Sequence, residues 1–225
     1  MPERRPYRRE PEDKRRDALI AAALELVAAG GSQAATVRAI ADRAGVSPGL
    51  IRHYFASKDE LTREAYRHLM DRMMQITAAS LTSAPTDPLA RLAAVVVSQL
   101  RPPVVDPVAV GLWAGFLHDV RRDASLRDVH AATYMQFRDL LESLIADLPR
   151  AVSPDQLRAD AIACNAVIDG LWLEGSMLPD GFAVGELERI GLASVGSILG
   201  IDLLSVPKSL IQNYLSDFSS LRDVV

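Results

Sequence analysis

Apolar residues recur along this chain at the three-to-four-residue spacing that places them on one face of an α-helix. No stretch sustains the alternation of apolar and polar residues that is typical of a half-buried strand, so the pattern predicts an all-α protein. Glycine, proline and polar clusters separate the predicted helices, which cover residues 13–30, 36–44, 48–54, 58–79, 89–100, 108–120, 125–147, 154–177 and 184–199.

Two short predicted helices meet at a glycine turn between Thr36 and Tyr54. Thr36 is suited to cap the first helix, and Gly45 to end it, because glycine readily adopts the left-handed conformation of a tight helix exit. Ser47 and Pro48 then restart the chain as a helix, with the serine hydroxyl expected to accept a hydrogen bond from the first turn. Two helices joined in this way predict a helix-turn-helix.

A longer helix is expected to follow at Lys58, because Ser57 and Glu60 have the spacing of a capping box. The pattern divides the chain into a flexible basic arm, a three-helix unit that holds the helix-turn-helix, a helical bundle, and an extra C-terminal helix; the resemblance described below implies DNA binding by the second unit and ligand binding and dimerisation by the bundle. Their predicted bounds are residues 1–12, 13–57, 58–200 and 201–225. In the last segment, apolar residues at helical spacing between 207 and 221 predict an amphipathic helix that packs on the bundle or on a partner subunit.

Charge is distributed unevenly along the chain. The net charge is −4 overall, but residues 1–60 carry a net positive charge and the remainder a net negative one. This asymmetry favours an approach to nucleic acid by the N-terminal end only. The arginine-rich residues 4–16 are either a solvated tail or an arm that touches DNA.

Other features bear on location and on the class of protein. The single cysteine, Cys164, excludes an internal disulfide, and the charged N-terminus and the absence of a long apolar run predict a cytoplasmic protein without a membrane association. The four histidines and one cysteine form no spacing typical of a metal site, and no catalytic motif or phosphate-binding glycine loop is present. We expect no enzyme activity, no metal and no cofactor.

The run TVRAIADRAGVSPGLIRHYFASKDEL, residues 36–61, resembles the DNA-binding signature of the TetR family of one-component transcriptional regulators. The layout of nine predicted helices agrees with that family. A second, less extensive resemblance joins residues 165–175, NAVIDGLWLEG, and residues 113–116, WAGF, to the BetI-like branch.

The resemblance implies a DNA-contacting role for particular residues. Arg52 is suited to the two acceptors of a guanine edge, and Gly49 lets the backbone approach the DNA. His53 is left open between a base contact and a structural role. The full implied set of DNA-binding residues is Thr36, Arg38, Ser47, Pro48, Gly49, Arg52, His53, Tyr54 and Lys58.

A single helix-turn-helix makes few contacts, so the expected target is a palindromic double-stranded operator that is bound by a homodimer. The resemblance places the dimer interface on the helices at 154–177 and 184–199. Their broad apolar faces, and small residues such as Gly191 and Gly196, would let partner helices approach closely. The alternative is that both faces are used within one subunit.

The family holds a small-molecule inducer in the bundle. The implied ligand-binding residues are Met70, Met74, Trp113, Phe116, Tyr134, Phe137, Asn165, Asp169 and Trp172, with Met73 beside them. Aromatic rings with one carboxylate suit a choline-like cation, although packing in a core would account for the same residues.

The motifs and the composition are compatible with three functions to different degrees. The sequence favours a transcriptional repressor that a small molecule releases from its operator. The first alternative is a DNA-binding structural or cell-cycle factor of the same fold without a ligand, and an enzyme is the remote one. A closed, fully packed bundle would favour the structural factor, whereas a cavity beside Trp113 and Asp169 would favour the repressor.

Overall fold

A computed structural model describes residues 12–82 and 86–207. These residues form nine α-helices and one short 3₁₀ helix and contain no strand, which confirms the predicted all-α class. In chain order they are α1 (Glu12–Gly30), α2 (Val37–Arg43), α3 (Pro48–Tyr54), α4 (Lys58–Thr82), α5 (Pro88–Gln99), α6 (Pro107–Val120), α7 (Ala124–Ala146), α8 (Pro154–Met177), α9 (Glu186–Leu199) and the 3₁₀ helix (Leu203–Ser205).

The turn between α2 and α3 closes as the sequence predicts. Thr36 Oγ1 accepts a hydrogen bond from the Ala39 amide at 3.1 Å, and Gly45 adopts a φ of +66°. Val46 then donates its amide to the Ala41 carbonyl at 3.0 Å, which completes the bonding pattern of a helix that ends in a left-handed residue.

The beginnings of α3 and α4 differ in detail from the prediction. The Ser47 hydroxyl makes no capping bond, so α3 begins with Pro48 at its first turn and is anchored by the buried Ile51. At α4 the Ser57 hydroxyl accepts from the Glu60 amide at 3.1 Å as expected. The Glu60 carboxylate, however, accepts from the Ala56 amide at 2.6 Å and not from that of Ser57.

Helix α4 connects two apolar cores. Its first half contributes Leu61 and Tyr66 to an N-terminal core that also contains the buried faces of α1, α2 and α3. Its second half contributes Ile76 to a bundle core formed with α5, α7, α8 and α9. One continuous helix therefore takes part in both cores.

The ends of the chain lie largely beyond the described residues. The predicted arm does so except for residue 12, where α1 begins, and so does the predicted amphipathic helix from residue 208 onward. Residues 201–207 form a turn and the 3₁₀ helix, which precede the helix predicted between 207 and 221. Leu203 and Val206 are buried in the bundle core, which fixes this turn against α9. No helix among residues 12–82 and 86–207 is long and apolar enough to cross a bilayer.

Candidate DNA-binding face and ligand cavity

The predicted DNA-contacting side chains lie along one stretch, from the N-cap of α2 to the first residue of α4. Most are exposed, and only Tyr54 and Lys58 are half-buried: the exposed ones are Thr36, Arg38, Ser47, Pro48, Gly49, Arg52 and His53. At Gly49, an added Cβ would have Ser47 Oγ as its nearest neighbour, at 4.0 Å. The start of α3 therefore presents little bulk, which suits a close approach of backbone to DNA.

Basic side chains near this face divide into two groups. The Arg38 side chain is 89% exposed and approaches Asp42 only to 3.9 Å, so it faces solvent. Arg43, in contrast, pairs with Glu25 of α1 at 2.7 Å. Arg16 pairs with Glu64 at 2.6 Å and lies 5.2 Å above the Phe55 ring. Arg16, which the sequence grouped with the basic N-terminal residues, thus holds α1 against α4 and the end of α3.

His53 lies on the exposed side of α3. Its ring meets the Tyr54 ring edge-on, with centroids 5.1 Å apart. The side chain is outside the N-terminal core, so it takes no part in core packing.

A cavity of about 360 Å³ lies in the bundle between α4, α6, α7 and α8. All but one of the predicted ligand-binding side chains line it: Met70, Met74, Trp113, Tyr134, Phe137, Asn165, Asp169 and Trp172, together with Met73. The exception is Phe116, which is fully buried in the N-terminal core with its ring 5.0 Å from that of Tyr66. Phe116 lies about one turn along α6 from Trp113, and at that level of the helix it meets the N-terminal core and not the cavity.

The cavity also contains residues that the sequence analysis missed: Thr77, Gln99, Val104, His130, Thr133, Ile168, Gly170 and Leu173. The spacing of His130 could have identified it as a cavity residue. It precedes Tyr134 by four residues and Phe137 by seven, so it shares their helical face. Thr77 has the same relation to Met73. Val104 lies in a loop, where helical periodicity gives no indication of side-chain direction.

Polar groups in the cavity form a connected network on α7 and α8. The Tyr134 hydroxyl donates to Asp169 Oδ2 at 3.0 Å, and Asn165 Nδ2 lies 2.6 Å from that hydroxyl and 2.9 Å from Asp169 Oδ2. Asn165 is buried, and its Oδ1 has no hydrogen-bond partner among the described residues. A buried amide oxygen without a donor is costly unless a ligand or solvent supplies one.

Burial governs the protonation of the cavity groups. It raises the pKa of Asp169 above the ordinary value of 3.8, and hydrogen bonds from Tyr134 and Asn165 and the nearby His130 oppose that rise. Burial also lowers the pKa of His130 below 6.5, against the influence of the Asp169 charge. The charged form of Asp169 therefore depends on its hydrogen-bond donors, and a cation beside it would add to them.

Two contacts join the cavity to its surroundings. Tyr66 of α4 and His130 of α7 approach to 2.7 Å between the hydroxyl and Nδ1, which links the cavity to the N-terminal core. On the opposite wall the rings of Trp113 and Trp172 meet edge-on, with centroids 5.6 Å apart. Trp172 Nε1 donates to the Val104 carbonyl at 2.9 Å, so the position of this ring is fixed.

The predicted dimer faces of α8 and α9 are largely used within the subunit. Ala161, Ile168, Leu187, Val195 and Leu199 belong to the bundle core. A Cβ on Gly191 would clash with Leu100 Cδ1, just after α5, and one on Gly196 would lie 2.7 Å from the Ile201 carbonyl oxygen. These two glycines therefore admit neighbours from their own chain, and a dimer interface on α8 and α9 stays a prediction. Other large apolar side chains remain exposed on α8 and just after it: Ile162, Leu173, Met177 and Leu178.

Comparison with known proteins decides the family. Residues 19–65 match the bacterial regulatory proteins of the tetR family, and residues 88–200 match the BetI-type transcriptional repressor C-terminal family. The chain is a member of the TetR family. It is 31% identical to the HTH-type transcriptional regulator BetI of Burkholderia thailandensis over 72% of this chain and 82% of that one.

Solved structures agree with this assignment to the TetR family. A protein described as a transcriptional regulator from Pseudomonas aeruginosa PAO1 has a TM-score of 0.78 and 31% identity, covering 85% of this chain and 93% of that one. Another, from Saccharomonospora viridis and solved in complex with choline, has a TM-score of 0.67 and 21% identity over 80% and 94% of the two chains, which shows a shared fold. The TetR-family protein described here is therefore a DNA-binding transcriptional regulator and not an enzyme.

Proposed function

We propose that this TetR-family regulator is a homodimeric repressor that binds a palindromic operator and is released from it by a small amphipathic cation. The observation that carries the ligand class is Asp169, a carboxylate held in an otherwise largely apolar cavity beside aromatic rings. Ring faces attract a quaternary ammonium group, and a desolvated carboxylate supplies its countercharge. As a protein that acts on DNA, it is expected in the cytoplasm.

Asn165 adds a second element of ligand specificity. Its Oδ1 is buried without a donor, while its Nδ2 supports Tyr134 and Asp169. A ligand that carries a hydroxyl group near its cation would satisfy Oδ1 and pair with Asp169 at once. Choline has both groups, and the choline complex of the Saccharomonospora viridis protein makes choline a suitable first probe.

Release of DNA is proposed to follow from the position of α4. This helix lines the cavity with Met70, Met73 and Met74, and it supplies Leu61 and Tyr66 to the N-terminal core. A ligand that favours one arrangement of α4 against α7 changes the spacing of the two recognition helices in the dimer. The cavity beside Trp113 and Asp169 also favours this function over the alternative of a structural factor without a ligand.

The ligand half of the proposal is tested with Asp169→Asn. Loss of the countercharge is expected to weaken choline binding by at least tenfold, while operator binding without choline is unchanged. Binding is measured by the fluorescence of Trp113 and Trp172, the only tryptophans in the sequence, both of which line the cavity. Asp139→Asn, at an exposed position of α7, is the matched control. Equal choline affinity in all three proteins would refute the role of Asp169.

The DNA half is tested with Arg52→Ala. An operator is first obtained by selecting bound fragments from the source genome. The variant is expected to bind it about 10- to 100-fold more weakly, with a smaller loss on unrelated DNA, because a bidentate arginine discriminates by about 1–3 kcal/mol. Arg127→Ala, an exposed arginine on α7, controls for the change in net charge. Fluorescence anisotropy at one salt concentration measures the affinity for the operator and for unrelated DNA. An equal loss of affinity on all sequences would make Arg52 a phosphate contact only.

A further inference from the structure

A second cavity, of about 380 Å³, lies between α1, α4 and α6. It adjoins the ligand cavity, because Met73 and Val104 line both. Met73 is half-buried and packs against the N-terminal core and the bundle core alike. The wall between the two cavities therefore includes a methionine, whose unbranched side chain changes rotamer more readily than that of other apolar residues.

The two cavities differ in their chemistry. In the ligand cavity, the carboxylate of Asp169 lies among aromatic and methionine side chains. The second cavity is lined mainly by aliphatic residues, among them Leu24, Leu69, Ile76 and Leu112.

The charged groups of the second cavity are of both signs. They are the carboxylates of Asp17, Glu25 and Asp106 and the basic groups of His68 and Arg72. Glu25 already pairs with Arg43 at 2.7 Å, and Asp106 Oδ1 accepts from the Val108 amide at 2.9 Å. Two of the three carboxylates therefore already have partners, and the aliphatic walls are suited to a hydrocarbon chain.

The volume of the ligand cavity also exceeds what a small cation fills. A space of 360 Å³ corresponds to roughly a dozen water volumes, and pockets of about this size and larger hold drug-sized ligands. Choline, with its few heavy atoms, would leave part of the apolar wall in contact with water. A longer molecule would cover that wall and reach Met73.

We propose that the two cavities form one site for a cation with a long alkyl chain, with the cationic head at Asp169 and the chain passing Met73 into the space between α1, α4 and α6. This inference rests on the proposed function, because it takes the cation at Asp169 as given. The alkyl chain would lie between α1, α4 and α6, and all three of these helices contribute to the N-terminal core that supports the helix-turn-helix.

The test is a series of alkyltrimethylammonium ions, from methyl to decyl, used below the concentrations at which they form micelles. Affinity is followed by tryptophan fluorescence. Each methylene that leaves water is expected to raise affinity about fourfold, and the rise should continue after the ligand cavity is filled. Ala21→Phe places a ring in the second cavity from an exposed position of α1, with little risk to folding.

In Ala21→Phe, the rise of affinity with alkyl chain length is expected to stop at an intermediate length. The affinities for tetramethylammonium and for operator DNA should stay within twofold of those of the unchanged protein. Ala29→Phe, an exposed position on α1 that does not line the cavity, is the matched control and should show the full rise. Met73→Phe, which narrows the passage itself, should also stop the rise of affinity at an intermediate chain length.

Three results would overturn the inference. Identical chain-length profiles in Ala21→Phe and Ala29→Phe would show that the second cavity takes no chain, and would leave the proposed function intact. Tighter binding of a bis-quaternary ion than of a mono-cation of equal length would make the second cavity a charge site. Failure of every ammonium ion to change the fluorescence would reject the cation at Asp169 and with it the extended site.

Discussion

Phe116 and Trp113 lie three residues apart on α6, but Trp113 lines the ligand cavity and Phe116 packs in the N-terminal core. Trp113 is half-buried at the cavity wall, whereas Phe116 is fully enclosed by the N-terminal core and contacts the ring of Tyr66. The core that supports the helix-turn-helix therefore includes a residue of the bundle. Phe116 therefore belongs to the core that supports the helix-turn-helix and does not line the ligand cavity.

Phe116→Ala is expected to lower the free energy of unfolding by about 3–5 kcal/mol, because it leaves a cavity in a closed core. Urea denaturation followed by circular dichroism measures the loss. Phe116→Leu, which keeps most of the apolar volume, should cost clearly less. A loss under about 1 kcal/mol for the alanine variant would contradict the burial of this ring.

His130 gives the stability of the protein a defined pH dependence. Burial lowers the pKa of its ring below 6.5, so the unfolded chain binds a proton at higher pH than the folded chain does. The contribution of His130 to stability is therefore present above pH 6.5 and is lost as pH falls through the window below that value. Asp169, whose pKa is raised from 3.8, acts with the opposite sign, because the folded chain holds its proton more tightly.

His130→Gln is expected to flatten the fall of stability below pH 6.5, since glutamine has no proton to gain and can still accept from Tyr66. The free energy of unfolding, measured by urea at several pH values between 5 and 8, reports the difference from the unchanged protein. His118→Gln, at an exposed position of α6, controls for the loss of one imidazole. A fall as steep in His130→Gln as in the control would refute the assignment.

The helix-turn-helix depends on two glycines that act for different reasons. Gly45 ends α2 at a φ of +66°, where an L-residue with a side chain is strained. Gly49 lies inside α3 with an ordinary helical φ and open space beside it. One glycine is needed for the backbone turn, and the other leaves room in front of the helix.

The pair Gly45→Ala and Gly49→Ala separates these roles. Gly45→Ala is expected to lower the free energy of unfolding by about 1–2 kcal/mol. Gly49→Ala should raise it by roughly 0.5–1 kcal/mol, because alanine suits a helix interior better than glycine, yet it should weaken operator binding. Thermal unfolding and anisotropy on the same samples give both quantities. Tighter operator binding by Gly49→Ala would exclude a close approach of DNA at this position.

The proposed homodimer has to place two recognition helices at the spacing of a palindrome. Its most direct candidate for an interface is the exposed apolar stripe of α8, which includes Ile162, Leu173 and Met177. Helix-turn-helix regulators bind two half-sites about one helical turn of DNA apart. A monomer, which contacts one half-site only, would therefore bind a palindrome much more weakly than a dimer.

Ile162→Glu is expected to convert the dimer to monomers and to weaken operator binding by more than tenfold, because it buries a charge at the interface. Its side chain is 45% exposed in the subunit, so the helical content should be retained. Analytical ultracentrifugation gives the mass. Met135→Glu, at a similarly exposed apolar position of α7, is the control and should remain dimeric. A dimeric Ile162→Glu would place the interface elsewhere.

The sequence alone determined the helices and the turn of the helix-turn-helix, because these follow from local periodicity and from the conformational limits of residues such as Thr36, Gly45 and Pro48. The cavity residues Trp113, Tyr134 and Asp169 were indicated by the resemblance to the TetR family and not by periodicity alone. Helical periodicity could not tell which of two cores an inward face meets, and for this reason Phe116 was assigned to the wrong one.

Only the tertiary structure decided how helices share their faces. It placed Leu100, just after α5, against Gly191, and Ile201 against Gly196, so that residues of the same subunit fill the space beside these two glycines. It also brought Met73 and Val104 to the wall between two cavities. The physical reason is that periodicity specifies a direction around one helix axis, whereas contacts depend on the distances and crossing angles between several helices, which are set by the packing of the whole core.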